Sequence, residues 1–231
     1  MKPDTLRQAR LARGWSQTEA AKRLGVYQSY LSMLESGQRP VTPRLARSLM
    51  RAYKLPPTLL PVPHELERTA TENQVLAEDL ASLGYPGFAY LRPRRWKKNP
   101  AEVLLTALLQ ENLEARVVEA LTWLPLEYWD MNADWLVEQA KHFDLQNRLG
   151  FVVTLAREVA QRVDGDHAPR SVKLRELEQA LETSKLARSD TLCQVLTPRE
   201  REWVMRNRTR EAEQWNLLTF WGPDMVRYAV P

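Results

Sequence analysis

The sequence predicts an all-α protein in which a small five-helix domain, residues 1–60, precedes a separate helical domain. Two observations indicate this fold class. Apolar side chains recur at helical spacing along the 231 residues, and no useful run alternates between apolar and polar side chains, as a half-buried strand does. With 44% hydrophobic and 27% charged residues, the composition is that of a globular protein long enough to bury a core.

Strong start and stop signals divide residues 1–60 into five short helices. Glycines, which adopt the left-handed conformation that closes a helix, stand at the first three ends: Gly14, Gly25 and Gly37. Ser16 and Glu19 have the spacing of a capping box and start the second helix. The third helix is expected over residues 28–36, Pro43 suits the first turn of the fourth, and Pro57–Leu60 adds a last turn.

The rest of the chain is predicted to be helical as well. Four prolines within eight residues mark a boundary near residue 60. Residues 61–100 are expected to form a linker with a connecting helix, His64–Leu83, and a basic loop. Residues 101–231 are expected to form an all-helical domain for regulation, dimerisation or partner binding. Within it, Ala101–Thr122 is predicted as one central helix, and Gly150 is predicted to separate two helices.

The charge is distributed unevenly between the two predicted domains. Residues 1–60 carry eleven basic and three acidic side chains, a net charge of +8, whereas the whole chain carries +4, so the remainder carries −4. A basic domain on a mildly acidic body favours a polyanionic partner for the basic domain.

The second and third helices, joined by a glycine-containing turn, have the arrangement of a helix-turn-helix. In the third helix Leu31 and Leu34 are expected to face the core, which leaves short polar groups on the outer face to meet base edges. A glutamine there offers adenine a donor and an acceptor, and Met33 suits a thymine methyl group. The candidate DNA-contacting residues are Gln17, Gln28, Ser29, Tyr30, Ser32, Met33, Arg39 and Arg44.

This segment resembles the Cro/repressor-type helix-turn-helix family, also called the XRE family. The residues that carry the resemblance are Leu6–Arg10, Ser16–Ala21, Leu24–Val26 and Tyr30–Pro40. The resemblance implies a lambda-repressor-like fold for residues 1–60 and double-stranded DNA as the partner. The sequence departs from the family at Tyr27, where a small polar residue usually caps the recognition helix.

The resemblance also implies roles for individual residues. Gln17 matches the family glutamine that supports both a phosphate contact and the glutamine opening the third helix, here Gln28. Arg10 and Glu35 match an internal ion pair with a structural role. Arg39 matches a basic side chain that approaches phosphate.

Together these features predict a cytoplasmic, sequence-specific transcriptional regulator. Because one helix-turn-helix covers half a site, we expect a homodimeric repressor that reads a palindromic operator through the recognition helix, residues 28–36. No apolar run reaches the length of a membrane-spanning helix, and the N-terminus lacks the apolar core of a signal peptide. The three scattered histidines and the single Cys193, expected to be a buried apolar residue, predict no metal, no cofactor and no catalysis.

The function of the second domain is left open between three alternatives. Residues 119–160 resemble, faintly, the C-terminal regions of abortive-infection antitoxins. That resemblance implies an autoregulator that binds and neutralises a partner toxin through its C-terminal domain. A small apolar effector bound at the aromatic cluster is the second alternative, and a protein-binding adaptor that does not read DNA is the third.

Two aromatic-rich segments and one basic stretch stand out in this second part. The aromatic residues between Trp123 and Phe151 are expected to build the core, whereas some of those near the C-terminus are expected to be exposed for docking: Trp203, Trp215, Phe220, Trp221 and Tyr228. The stretch Arg92–Lys98 is either an arm that grips nucleic acid or, as favoured here, a solvated loop in which Trp96 packs down as an anchor.

Overall fold

The computed structural model describes residues 3–92 and 96–226, and the chain divides into two compact units, Met1–Val62 and Pro63–Pro231. Tyr228 and residues 93–95 of the basic stretch lie outside the described residues. The described residues are mostly helical, as predicted, and their strands are limited to one two-residue parallel pairing, Asp190–Thr191 with Leu217–Leu218. None of the helices within these ranges is long and apolar enough to cross a membrane.

The first unit consists of short helices whose ends follow the local sequence signals. Its elements are α1 (Pro3–Ala12), α2 (Gln17–Leu24), α3 (Gln28–Glu35), α4 (Pro43–Tyr53) and a 3₁₀ turn (Pro57–Leu59). The Ser16 hydroxyl accepts a hydrogen bond from the Glu19 amide at 3.1 Å, and Thr42 caps α4 in the same way. The Glu19 carboxylate, expected to complete a capping box, pairs with Arg23 at 2.9 Å. Five short helical elements are therefore confirmed, with the last of them a 3₁₀ turn.

The core of the first unit is built from one apolar face of each helix. Its buried residues are Leu6, Ala20, Ala21, Leu31, Leu34, Leu45, Leu49 and Tyr53. The small side chains of Ala20 and Ala21 allow α2 to approach α3 closely. Trp15 covers this core at its edge, with its ring 5.6 Å from that of Tyr53 on α4.

The second unit is organised around α9, whose residues are buried along most of its length. This helix packs against α7 on one side and α10 on another. The helices are α5 (Asn73–Leu83), α6 (Pro100–Leu108), α7 (Ala115–Glu127), α8 (Ala133–His142), α9 (Gln146–Asp164), α10 (Pro169–Glu182), α11 (Pro198–Asn207) and α12 (Arg210–Gln214). The strands β1 (Asp190–Thr191) and β2 (Leu217–Leu218) and the 3₁₀ turns Pro86–Phe88 and Pro223–Met225 complete it. Cys193 is fully buried and burial raises the pKa of its thiol to about 11, so it is the buried apolar residue that was expected.

Two predicted helices are shorter in the structure than their apolar patterns indicate. The predicted central helix Ala101–Thr122 is wrong, because α6 ends at Leu108 and the chain turns before α7. There the Leu113 amide donates to the Cys193 carbonyl at 2.9 Å. The prediction of a connecting helix over His64–Leu83 is wrong in its first half, because α5 begins only at Asn73. In that half the Thr71 amide donates to Gln110 Oε1 at 3.0 Å, so a distant side chain satisfies a backbone group that the helix would otherwise pair.

The predicted helix break at Gly150 is also wrong. Gly150 lies inside α9, and the break falls earlier, at Asp144, whose φ is +59°. Glycine is needed at position 150 because the Trp215 ring packs directly onto its backbone. A Cβ atom there would come closer than 3 Å to three carbons of that ring. A long-range contact therefore explains the glycine that looked like a helix terminator.

Replacing Gly150 with alanine will therefore destabilise the second unit, although alanine is the better helix former. We expect the free energy of unfolding to fall by about 1–3 kcal/mol, as in other overpacked cores. Urea unfolding of the full chain measures this change. In a Trp215→Ala background the clash is gone, so the same substitution should stabilise the helix by about 1 kcal/mol. An equal loss in both backgrounds would show that the Trp215 ring is not the cause.

Candidate nucleic-acid interface

The turn between α2 and α3 sets the angle at which α3 meets solvent. Gly25 closes α2 with a φ of +67°, and the Val26 amide donates back to the Ala21 carbonyl at 3.0 Å. On the inner face of α3, Leu31 and Leu34 are buried in the core of the unit. The opposite face of this eight-residue helix is thereby presented outward.

Most of the candidate DNA-contacting residues are exposed to solvent. Gln28, Ser29, Met33, Arg39 and Arg44 are exposed, with 36% of Met33 accessible. The other three are half-buried: Gln17, Tyr30 and Ser32. Tyr30 packs partly against the core of the unit. Five of the eight are thus accessible to a partner, and the DNA-binding role of each residue stays a prediction.

A chain of hydrogen bonds holds the first residue of α3 in place. Gln28 Nε2 donates to Gln17 Oε1 at 2.7 Å, and Gln17 Nε2 donates to Glu35 Oε2 at 3.0 Å. Arg10 then binds both Glu35 oxygens, at 2.7 and 3.0 Å, and donates to the Trp15 carbonyl at 2.8 Å. The expected glutamine pair and the expected ion pair are both confirmed as contacts. The bond from Gln17 to Glu35, which joins them into one chain, was missed from the sequence.

The charge state of Glu35 is set by this chain. Burial alone would raise the pKa of its carboxyl group, but the hydrogen bonds from Arg10 and Gln17 and the positive charges of Arg10 and Arg7 together outweigh burial and lower the pKa below its ordinary value. An ionised Glu35 accepts from three N–H groups, as a carboxylate does well. Gln17 is consequently held with its amide oxygen toward Gln28.

The excess positive charge of the first unit lies on exposed side chains. Two of its three acidic side chains are paired internally, Glu35 with Arg10 and Glu19 with Arg23. The net charge of +8 over residues 1–60 therefore falls on the other basic residues. Those with exposed side chains are Arg7, Arg13, Lys22, Arg39, Arg44, Arg51 and Lys54. Such a surface attracts the phosphate backbone of nucleic acid.

The recognition helix begins without a side-chain cap. Tyr27 occupies the N-cap position with extended dihedral angles, and its side chain caps nothing. It is 84% exposed. The sequence showed only that a capping hydroxyl is missing, and exposure is a property of the folded unit.

In the second unit the aromatic side chains divide between core and surface. Among the residues from Trp123 to Phe151, most aromatics are buried, as expected, while 37% of Trp129 is exposed. Near the C-terminus Trp215 is fully buried, whereas Trp203 and Phe220 are exposed and lie 6.1 Å apart, ring centre to ring centre. The expectation that some of the C-terminal aromatics are exposed is confirmed.

The described part of the basic stretch is held by a lysine. Lys98 Nζ lies 2.7 Å from Asp79 Oδ2, on a carboxylate that is almost wholly buried in α5. Trp96 is 57% exposed, more than expected of a side chain that packs down as an anchor. Lys98 attaches this stretch to α5.

The comparison with known families agrees with the geometry of the first unit. Residues 4–62 match the family model described as a helix-turn-helix domain. No match was found among curated proteins or among solved structures. The resemblance to the Cro/repressor-type helix-turn-helix family is thus confirmed over residues 4–62, about the first quarter of the chain.

Proposed function

We propose that this protein, with its N-terminal helix-turn-helix DNA-binding domain, is a sequence-specific transcriptional regulator that reads the major groove through α3. It acts by binding, without catalysis, on DNA in the cytoplasm. The observation that carries the proposal is the hydrogen-bonded chain from Arg10 through Glu35 and Gln17 to Gln28, which fixes an exposed glutamine at the leading end of α3. A base-reading side chain benefits from being held before it binds.

The bonding of Gln28 leaves it equipped to read a base. It donates one of its two Nε2 hydrogens to Gln17, which leaves the second hydrogen and the amide oxygen. These are the donor and acceptor that adenine recognition needs in the major groove.

We further propose that the protein works as a homodimeric repressor. One α3 covers one half-site, so specific binding at useful affinity favours two copies on a palindrome with half-site centres about 10 base pairs apart. A dimer bound across a promoter represses by occupying it.

Selection of bound sequences from a random duplex pool tests the proposal directly. We expect the wild-type protein to enrich a palindrome and Gln28→Ala to lose its preference at one base position in each half-site. The loss should amount to about 1–3 kcal/mol of discrimination at that position, because one bidentate contact disappears.

Gln74→Ala, the same substitution on α5 of the second unit, is the matched control and should enrich the wild-type sequence. If the wild-type protein enriches nothing at moderate salt, the chain does not read DNA by itself. Enrichment of a site without symmetry would argue against the dimer.

A second candidate function, an antitoxin-type autoregulator, is supported by a groove in the second unit. The groove, of about 810 Å³, lies between α8 and α10 and includes Trp129, Val137 and Leu177 among its apolar lining. Acidic side chains of α8, such as Asp134 and Glu138, border it. An exposed apolar groove with charged edges suits a partner protein, and α8 falls within the residues that resemble abortive-infection antitoxins.

Growth assays with the product of the neighbouring gene test this candidate. If the chain is an antitoxin-type autoregulator, this product should arrest growth when it is expressed by itself and should be tolerated when the present chain is co-expressed. A neighbour that is harmless alone counts against it. If a small apolar ligand instead shifts both thermal stability and DNA affinity, the second unit is an effector sensor.

A further inference from the structure

Tyr27 is the most exposed large apolar or aromatic side chain among residues 3–92 and 96–226, with 84% of its surface accessible. It immediately precedes Gln28, with φ of −75° and ψ of 146°. A side chain of this size is normally at least partly covered when its only role is in folding. Tyr27 therefore contributes little to the core of its own unit.

Helix capping does not explain this residue either. The neighbouring helices α2 and α4 are capped by the side chains of Ser16 and Thr42, each of which accepts a hydrogen bond from a backbone amide. At the corresponding position of α3, the side chain of Tyr27 makes no capping bond. Tyrosine at this position forgoes a stabilising contact that serine or threonine supplies.

We propose that Tyr27 is a specificity-determining residue whose ring contacts the methyl group of a thymine beside the base pair read by Gln28. The inference rests on the proposed DNA-binding function. Tyr27 is the residue directly before Gln28, and the N-terminal residues of a recognition helix are the ones that contact base edges. An apolar surface is what recognises a thymine methyl in the major groove.

The ring has the right properties for such a contact. Tyrosine presents a large, rigid surface and loses the freedom of only two side-chain torsions when it binds. The Tyr27 carbonyl accepts from the Leu31 amide at 3.1 Å, which ties its backbone to the first turn of α3. The Cα atom from which the ring projects is thereby held next to Gln28 before DNA arrives.

The test compares wild type, Tyr27→Phe and Tyr27→Ser in the same duplex-pool selection. Wild type and Tyr27→Phe should enrich the same palindrome, with thymine preferred next to the position that Gln28 specifies. Tyr27→Ser should keep the Gln28 position, lose the thymine preference and bind the selected duplex about fivefold more weakly. Its thermal unfolding midpoint should be unchanged or higher, since serine can cap α3, so misfolding does not account for the weaker binding.

Replacing the selected thymine by uracil removes only the methyl group and identifies the contact. Wild type should lose about fivefold in affinity for the uracil duplex, and Tyr27→Ser should be indifferent to the exchange. If Tyr27→Ser selects the wild-type sequence with wild-type affinity, the proposal is wrong while the DNA-binding function stands. A Tyr27→Phe protein as weak as Tyr27→Ser would assign the contact to the hydroxyl and overturn the ring contact. Failure of wild type to enrich any sequence would overturn the proposed function itself.

Discussion

Replacing Arg10 with methionine should lower the free energy of unfolding of the N-terminal unit by about 3–5 kcal/mol, the cost of leaving one member of a buried ion pair unpaired. Arg10 and Glu35 are 7% and 8% exposed, and two hydrogen bonds join them. Methionine fills much of the same space but leaves the Glu35 carboxylate buried with only Gln17 to bind. Hydrogen exchange of the α2 and α3 amides in the full chain measures the loss for this unit alone.

Arg23→Met is the matched control, since it removes an arginine from an exposed ion pair in the same unit. About half of the Arg23 side chain is exposed, and its partner Glu19 lies one helical turn away. Its loss, including the contact with the Trp15 ring, should cost about 1 kcal/mol or less. If the two variants lose the same free energy of unfolding, the burial of the Arg10–Glu35 pair does not make its loss more costly than that of an exposed pair.

The same pair predicts how the effect depends on pH. The pKa of Glu35 is lowered in the folded unit, so its stabilising contribution is present above the ordinary glutamate pKa of about 4.3 and is lost as pH falls through the folded value. In Arg10→Met, burial is no longer outweighed and the pKa of Glu35 should rise. The difference in stability between wild type and variant should therefore shrink as pH falls from about 7 to about 3. If the difference in stability between wild type and variant does not change with pH, the loss of stability does not depend on the ionisation of Glu35.

The helices of the first unit were predictable because their signals are local. Gly25 and Ser16 act on residues within one turn, and the structure shows both in the expected roles. The paired glutamines were predictable only through the family resemblance, since nothing in the spacing of Gln17 and Gln28 specifies that their side chains meet. Their link to Glu35 depends on how α1, α2 and α3 converge, and no local pattern contains that information.

The errors in the second unit have a common physical origin in long-range contacts. Leu109 and Leu113 continue the helical spacing of apolar residues between α6 and α7, yet the Glu114 amide donates to Asn73 Oδ1 at 3.0 Å, and the helix is interrupted. By propensity Gly150 resembles a helix terminator, but its backbone is covered by the ring of Trp215, 65 residues further along the chain. Propensity describes each segment in isolation, whereas these segments obtain their hydrogen bonds and packing from other parts of the unit.

Truncation of Trp215 should produce the largest loss of stability in the second unit. Trp215 is fully buried, its ring covers Gly150, and its Nε1 donates to Thr154 Oγ1 at 2.7 Å. The Thr154 hydroxyl donates in turn to Glu178 Oε1 at 2.6 Å, which joins the segment before β2 to both α9 and α10. We expect Trp215→Ala to lower the free energy of unfolding by about 3–5 kcal/mol, as for other buried aromatic residues truncated to alanine. Urea unfolding followed by circular dichroism measures it.

Trp203→Ala provides the comparison, because it deletes the same side chain from the surface. Trp203 is 57% exposed, and its ring contact with Phe220 is worth about 1 kcal/mol or less. If the two variants lose the same stability, the C-terminal segment is not held by the Trp215 ring. If only Trp215→Ala is destabilised and α9 amides exchange faster in it, the segment after α11 is part of the folding core of the unit. The chain between the exposed residues Trp203 and Phe220 contains the buried Trp215. In that case both exposed rings are attached to a rigid part of the unit.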